Sequence, residues 1–310
     1  MATTELSQAG RTSLPRTGRL SRRQALWGYL LIAPMMLGFG VFFLVALVAA
    51  IGLTLTNWNV LTSPGWVGLE NYSRLFRDDV FWTSLRNTAA LTVPHVVLRI
   101  AIALALALAL NSNIRFRSIY RAVFFMPVLT MPVATATVWQ WLYDPTYGPI
   151  NYGLRELGLP RPTWLSNPDT ALWAVLVVLL WSGVGYDMIL FLAGLQNIPR
   201  DYYEAAQLDG AGAWRRFRDI TFPLLTPTTF FLTVIAIISS LQVFDQVYVM
   251  TQVEHTTANT FPTIVYYIYE EAFRNFRMGY ATTVAMVLLV LILLFTVLQF
   301  RLQRRWVHYT

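Results

Sequence analysis

The sequence predicts an all-α, polytopic membrane protein with six transmembrane helices. Of 310 residues, 56% are hydrophobic and 13% charged, against roughly 25% charged in soluble domains, and the mean hydropathy is +0.50. Six runs reach the roughly 20 apolar residues that cross about 30 Å of hydrocarbon. None alternates strictly between apolar and polar over about ten residues, which sets a transmembrane β-barrel aside.

In chain order the spans are Leu26 to Leu55, Thr88 to Leu110, Ile119 to Leu142, Ala171 to Leu195, Thr228 to Met250 and Met278 to Phe300. Residues 1–25 are rich in Ser, Thr and Arg and read as a disordered flank, 26–300 as the membrane domain and 301–310 as a tail. Ser21-Arg22-Arg23 before an apolar run has the outline of a twin-arginine export signal. A signal core, however, has about 7 to 15 residues, and this run is twice that length with five more spans behind it. Alternating Ala and Leu over 101–110 supplies small residues for close helix packing.

All 23 basic residues are Arg. With the N-terminus inside, 15 fall on the cytoplasmic side (Arg11, Arg16, Arg19, Arg22, Arg23, Arg115, Arg117, Arg121, Arg200, Arg215, Arg216, Arg218, Arg301, Arg304 and Arg305) and seven outside, with Arg99 within a span. The positive-inside rule therefore places both termini in the cytoplasm. The basic pI of 9.8 reflects this topology; no polar stretch is long enough to fold a nucleic-acid-binding surface. With no Cys, and only His95, His255 and His308 scattered along the chain, no metal-ligand spacing exists. No catalytic constellation and no phosphate-binding Gly-Lys-Ser/Thr loop is present, so the chain reads neither as a membrane enzyme nor as an ATPase.

Three loops, 57–87, 143–170 and 251–277, face outside. In the first, Leu75, Phe76, Phe81, Trp82 and Leu85 recur at near-helical spacing, which predicts one amphipathic helix at the interface. The cytoplasmic loop 197–227 differs in kind. Asn197 is placed to cap a helix with Pro199 in its first turn and Asp201 and Glu204 near its positive end. Gly210 breaks it, and Trp214 to Ile220 resumes it. A plain connection needs only about 2 to 8 residues, so the excess predicts a docking device.

Glu204-Ala205-Ala206, Asp209-Gly210, Ile220 and Phe222-Pro223 resemble the EAA loop of binding-protein-dependent ATP-binding-cassette (ABC) importers. The resemblance extends through Gly68 to Tyr72, Asn87-Thr88, Phe124 to Pro127, Leu192 to Pro199, Phe244-Asp245 and Met278 to Ala281, and is similar to the sugar-permease branch of the maltose and multiple-sugar type. Two departures stand out: Phe222 replaces the usual Leu, and Gln252-Val253-Glu254 follows Thr251 where the family commonly has Gly-Gly-Pro.

The resemblance implies a type I importer permease fold in a prokaryotic plasma (inner) membrane. Its partners would be a second homologous permease, two ATPase subunits that bind ATP and Mg, and an extracytoplasmic solute-binding protein; no cofactor belongs to this chain. The cargo would be a mono- or oligosaccharide, with polyol, glycerol phosphate or glycerophosphodiester as alternatives. A secondary transporter is the rival class, but it has no use for an EAA loop.

Substrate contacts are expected where spans four and five turn polar. Trp181-Ser182-Gly183-Val184-Gly185-Tyr186-Asp187 offers flat aromatic surfaces, a small-residue gap and hydrogen-bonding groups suited to a pyranose. Its Trp-x-Gly-x-x-Tyr pattern resembles a stretch of the maltose-type importers, which implies contacts at Gly183 and Tyr186. Ser239, Ser240, Gln242 and Asp245 form a second polar cluster, where packing and back-bonding to helix carbonyls compete with a substrate role. Arg99 lies about 16 Å deep at about 1.5 Å per residue and must face the bundle. Three readings stand open for it: an ion pair with Asp187 or Asp245, a side chain directed to a wet cavity, or a contact to an anionic substrate.

Overall fold

The computed structural model describes residues 22–112, 114–252 and 262–306. His255, His308, Val253, Glu254 and the first arginines of the N-terminal flank lie outside the described residues. The chain divides into two compact units at Ala50/Ile51.

In the first unit, α1 (Arg22–Phe39) passes through a π turn at Gly40–Val45 into α2 (Ala46–Leu53). From Ala25 onward its residues are apolar on every side and exposed or half-exposed, the pattern of a helix whose surroundings are themselves apolar.

The second unit is helical, with a single antiparallel bridge between Thr56 and Trp66 as the β pairing among the described residues. The expected helix over 75–85 is two helices, α3 (Glu70–Phe76) and the start of α4 (Asp79–Asn111). The chain turns at Asp78 because its carboxylate accepts from the amides of Val80 and Phe81, ending one ladder and capping the next. Span two therefore belongs to a 33-residue helix that begins nine residues before Thr88.

Span three is not one straight helix. It consists of α5 (Arg117–Phe125), a 3₁₀ turn at Met126–Leu129, and α6 (Pro132–Leu142), and the two halves are bent by 100°. Pro132 forces Met131 into extended backbone (ψ 134°), so the ladder cannot continue through it. Helices α7 (Pro149–Glu156) and α8 (Pro168–Gln196) follow.

Loop 197–227 holds α9 (Arg200–Leu208), α10 (Ala213–Arg216), a π turn at Phe217–Thr221 and α11 (Phe222–Leu224). The expected cap shifts. Asn197 is helical (ψ −10°) and closes α8, while Pro199 occupies the N-cap of α9. Span five is also broken, as α12 (Thr226–Leu241) and α13 (Asp245–Thr251), with Gln242 to Phe244 non-helical between them. The chain ends with α14 (Ile264–Tyr269), a π turn at Glu270–Arg274, and α15 (Met278–Trp306).

Helices α4 and α8 form the centre. In lipid the hydrophobic effect does not drive helices together, so close packing must. Ala103 and Ala107 of α4 are fully buried against Met188, Phe191 and Leu192 of α8. Gly185 lets α8 meet α5: a Cβ there would stand 2.1 Å from the Phe124 carbonyl oxygen.

Candidate functional site

The first part of the site is built on facing turns of α4 and α8. Arg99 donates from Nε to Asp187 Oδ2 at 2.6 Å and from Nη2 to Oδ1 at 2.7 Å, a two-pronged pair in which Asp187 is 0% exposed and Arg99 8%. Gly183, one turn before Asp187, makes the room: a Cβ there would lie 3.0 Å from the guanidinium carbon. Of the three readings for Arg99, its geometry is that of the ion pair with Asp187.

Trp181 and Tyr186 are exposed within the chain. Trp181 meets Trp139 of α6 edge-on, with ring centres 5.9 Å apart. Gln242 and Asp245 are also exposed, at the break of span five. Ser240 is buried and its hydroxyl has no hydrogen-bond partner in the protein, while Ser239 bonds back to the Ala236 carbonyl. The residues expected to face substrate thus divide: Trp181, Tyr186, Gln242 and Asp245 reach the surface of the chain, whereas Arg99, Ser240 and the Gly183 contact are closed within it.

The second part is the loop 197–227. The α9 helix ends in a Schellman cap: Ala211 N–H donates to the Ala206 carbonyl at 2.8 Å and Gly210 N–H to Gln207 at 3.0 Å, with Gly210 at φ +75°. Glu204, Ala205, Asp209 and Gly210 are exposed, and Ala206 half-buried. The other end is anchored. Ile220 packs into the α4–α8 core, the Tyr203 hydroxyl bonds Thr221 at 3.0 Å, and the Pro223 carbonyl accepts from Thr226. Leu208, which the sequence does not single out, is 91% exposed beside Gly210, and Trp214, expected only as a helix start, is 73% exposed. Leu208 is the last residue of α9, immediately before the Asp209-Gly210 cap.

At the opposite end, Asp78 accepts hydrogen bonds from the hydroxyls of both Tyr267 and Tyr280. Burial opposes the charge on Asp78, but those bonds and the amides of Phe81 and Val80 outweigh it and hold the carboxyl below the usual carboxylate range. Burial and the same carboxylate raise the Tyr267 phenol, so it stays protonated. Beside this cluster the Arg74 guanidinium lies 4.3 Å over the Tyr280 ring, and buried Glu271 takes Arg277 at 3.4 Å. Among the described residues no three His, Asp or Glu side chains come together as a metal site.

Five apolar spans, one of them (226–251) interrupted at Gln242 to Phe244, the bent pair α5–α6 and an anchored, exposed helical loop define a multi-pass helical membrane protein among the described residues. The chain belongs to the family of binding-protein-dependent transport system inner membrane components, which it matches over residues 99–308, and is a permease subunit of an ABC importer with the type I fold. It is 36% identical to the probable ABC transporter permease protein YesP of Bacillus subtilis, over 95% of this chain and 96% of that one. It is 34% identical to the lactose transport system permease protein LacF of Rhizobium radiobacter, over 91% and 95%. A crystal structure of a bacterial ABC transporter involved in import of the acidic polysaccharide alginate matches with a TM-score of 0.81 at 26% identity, over 91% and 96% of the two chains.

Proposed function

We propose that this permease forms half of the translocation pathway for an uncharged mono- or oligosaccharide delivered by an extracytoplasmic binding protein. A second, homologous permease supplies the other half. Two separate ATPase subunits bind ATP and Mg and seat on the loop 197–227, and both termini lie in the cytoplasm.

The observation that carries the pathway is the break in span five. Non-helical backbone at membrane depth is tolerated only where protein or a water-filled cavity surrounds it, and Gln242 to Phe244 is such a stretch, with Gln242 and Asp245 exposed on it. Tyr186 on α8 is likewise exposed. It lies about 27 Å from one end of α8 and about 15 Å from the other, where a phenol turned to lipid would leave its hydroxyl unsatisfied. Turned to a wet path, Tyr186 and Trp181 offer ring faces for the apolar side of a pyranose, and Gln242 and Asp245 offer partners for its hydroxyls.

Charge favours a neutral cargo. Arg99 is the arginine deepest within a span, and both its prongs are engaged by Asp187. A glycerol phosphate would therefore find Arg99 already neutralised. The lactose system named for one relative fits this reading by analogy. ATP-dependent uptake in proteoliposomes containing all partners is the test. Sugar uptake that competing glycerol phosphate leaves unchanged is expected; uptake of glycerol phosphate alone would overturn the cargo assignment.

A further inference from the structure

Helix α4 carries a polar residue at nearly every buried turn of its first half and none in its second. Ser84, Thr88, Thr92, His95 and Arg99 follow one another at spacings of three or four and are each at least nine-tenths buried, so they form one stripe on one face. Beyond Arg99 the same stripe continues as Ala103, Ala107 and Leu110, buried against α8.

The polar half is under-bonded. The hydroxyls of Ser84 and Thr92 and both ring nitrogens of His95 have no hydrogen-bond partner in the protein; His95 turns toward the Leu179 backbone without reaching hydrogen-bond geometry. Thr88 is bonded, donating to the Ser84 carbonyl at 2.8 Å and accepting from the amide of Ile264 at 2.9 Å. That contact brings in Thr263, fully buried and likewise unpartnered. Each such orphan costs about 1–3 kcal/mol unless something satisfies it. Apolar neighbours and lipid tails cannot.

We infer that this stripe binds a file of ordered water, running from Ser84 and Thr263 at one end of α4 to the Arg99–Asp187 pair and closed there by Ala103 and Ala107. The ligand is water because the orphan atoms are hydroxyls and imidazole nitrogens, both donors and acceptors, repeated one turn apart. A buried water needs two to four such partners. The file would also hydrate one flank of a charge pair whose burial in a dry interior is costly. This inference does not depend on the cargo.

The chain has no cysteine, so single-cysteine variants are read without background from this subunit. Ser84→Cys and Thr92→Cys are close to isosteric; Ala103→Cys and Ala107→Cys mark the expected dry end. Membranes carrying each variant are treated with silver ion, which is close to water in size and replaces the thiol proton. They are then denatured, alkylated and read by mass spectrometry of this chain. Silver is expected to abolish alkylation at 84 and 92 and to leave 103 and 107 fully alkylated. Full alkylation at both 84 and 92 would show a dry stripe, and loss at all four positions would show that it does not close at Arg99; either result overturns the inference.

Discussion

Arg99 and Asp187, 88 positions apart, meet through two hydrogen bonds of 2.6 and 2.7 Å with the carboxylate fully buried. Removing one member of such a pair leaves an uncompensated charge, at a cost of about 3–5 kcal/mol, whereas neutralising both is close to neutral. Arg99→Gln and Asp187→Asn should each lower the melting temperature of the purified complex, and the double variant should recover most of the loss. Wild-type stability in both single variants would show that the pair holds nothing together.

Tyr186 is exposed one residue before Asp187, so the ion pair fixes the helix face while the phenol remains available. Tyr186→Ala removes a ring and a hydroxyl without opening a core cavity. Uptake should fall while the complex stays assembled and basal ATP hydrolysis persists. Unchanged uptake in an intact complex would reduce Tyr186 to packing.

The spans were legible because a run of about 20 apolar residues needs no tertiary information. The 100° bend of span three was not: hydropathy is blind to direction, although Pro127 and Pro132 stood in the sequence as its cause. Asn197 was misplaced as a helix start because the same residue type suits either end of a helix, and only the backbone decides. The Asp78 cluster was invisible, since Tyr267 and Tyr280 lie 189 and 202 positions away. The approach of Arg99 to Gly183 was not legible either, because a local motif carries no trace of a side chain that the fold brings from another helix.

Asp78 ties the start of α4 to α14 and α15 through a carboxylate held below its ordinary range. A depressed folded-state value contributes stability that is fully present above the unfolded value, about 3.9, and is lost as pH falls through the folded value. Thermal stability should therefore hold from neutral pH down to about pH 4 and decline below it. Asp78→Asn should be less stable at neutral pH and show a flatter acid limb. An identical acid limb in the two proteins would remove Asp78 from the account.

The topology proposed from the arginine distribution has both termini in the cytoplasm and the loop 143–170 outside. Asn151 is a poor place for a reporter because it is buried and bonded to the Pro162 carbonyl and the Trp164 indole. Leu159 is exposed beside the turn at Gly158. Reporters inserted there and fused at the C-terminus should register opposite sides of the membrane; the same side for both would invert or break the topology.

Coupling is the prediction with the most geometry behind it. Gly210 sits at φ +75° as the closing residue of the α9 cap, where an L side chain costs about 1–2 kcal/mol per residue. A Cβ there would touch nothing within 4 Å, so the substitution strains the turn without a clash. Gly210→Ala should leave the membrane helices folded but shift the exposed end of α9, lowering uptake more than ATP hydrolysis. Leu208→Asp places a charge on the most exposed apolar side chain of the loop and should weaken docking itself, read as loss of crosslinking between this loop and the ATPase. Glu204→Lys reverses the exposed charge on the same helix and should act in the same direction. The contrast between variants is the informative part: Gly210→Ala retains the crosslink but loses coupling, whereas Leu208→Asp loses both. Normal uptake and an intact crosslink in all three would mean that the loop is a solvated connection and that motion reaches the membrane helices by another route.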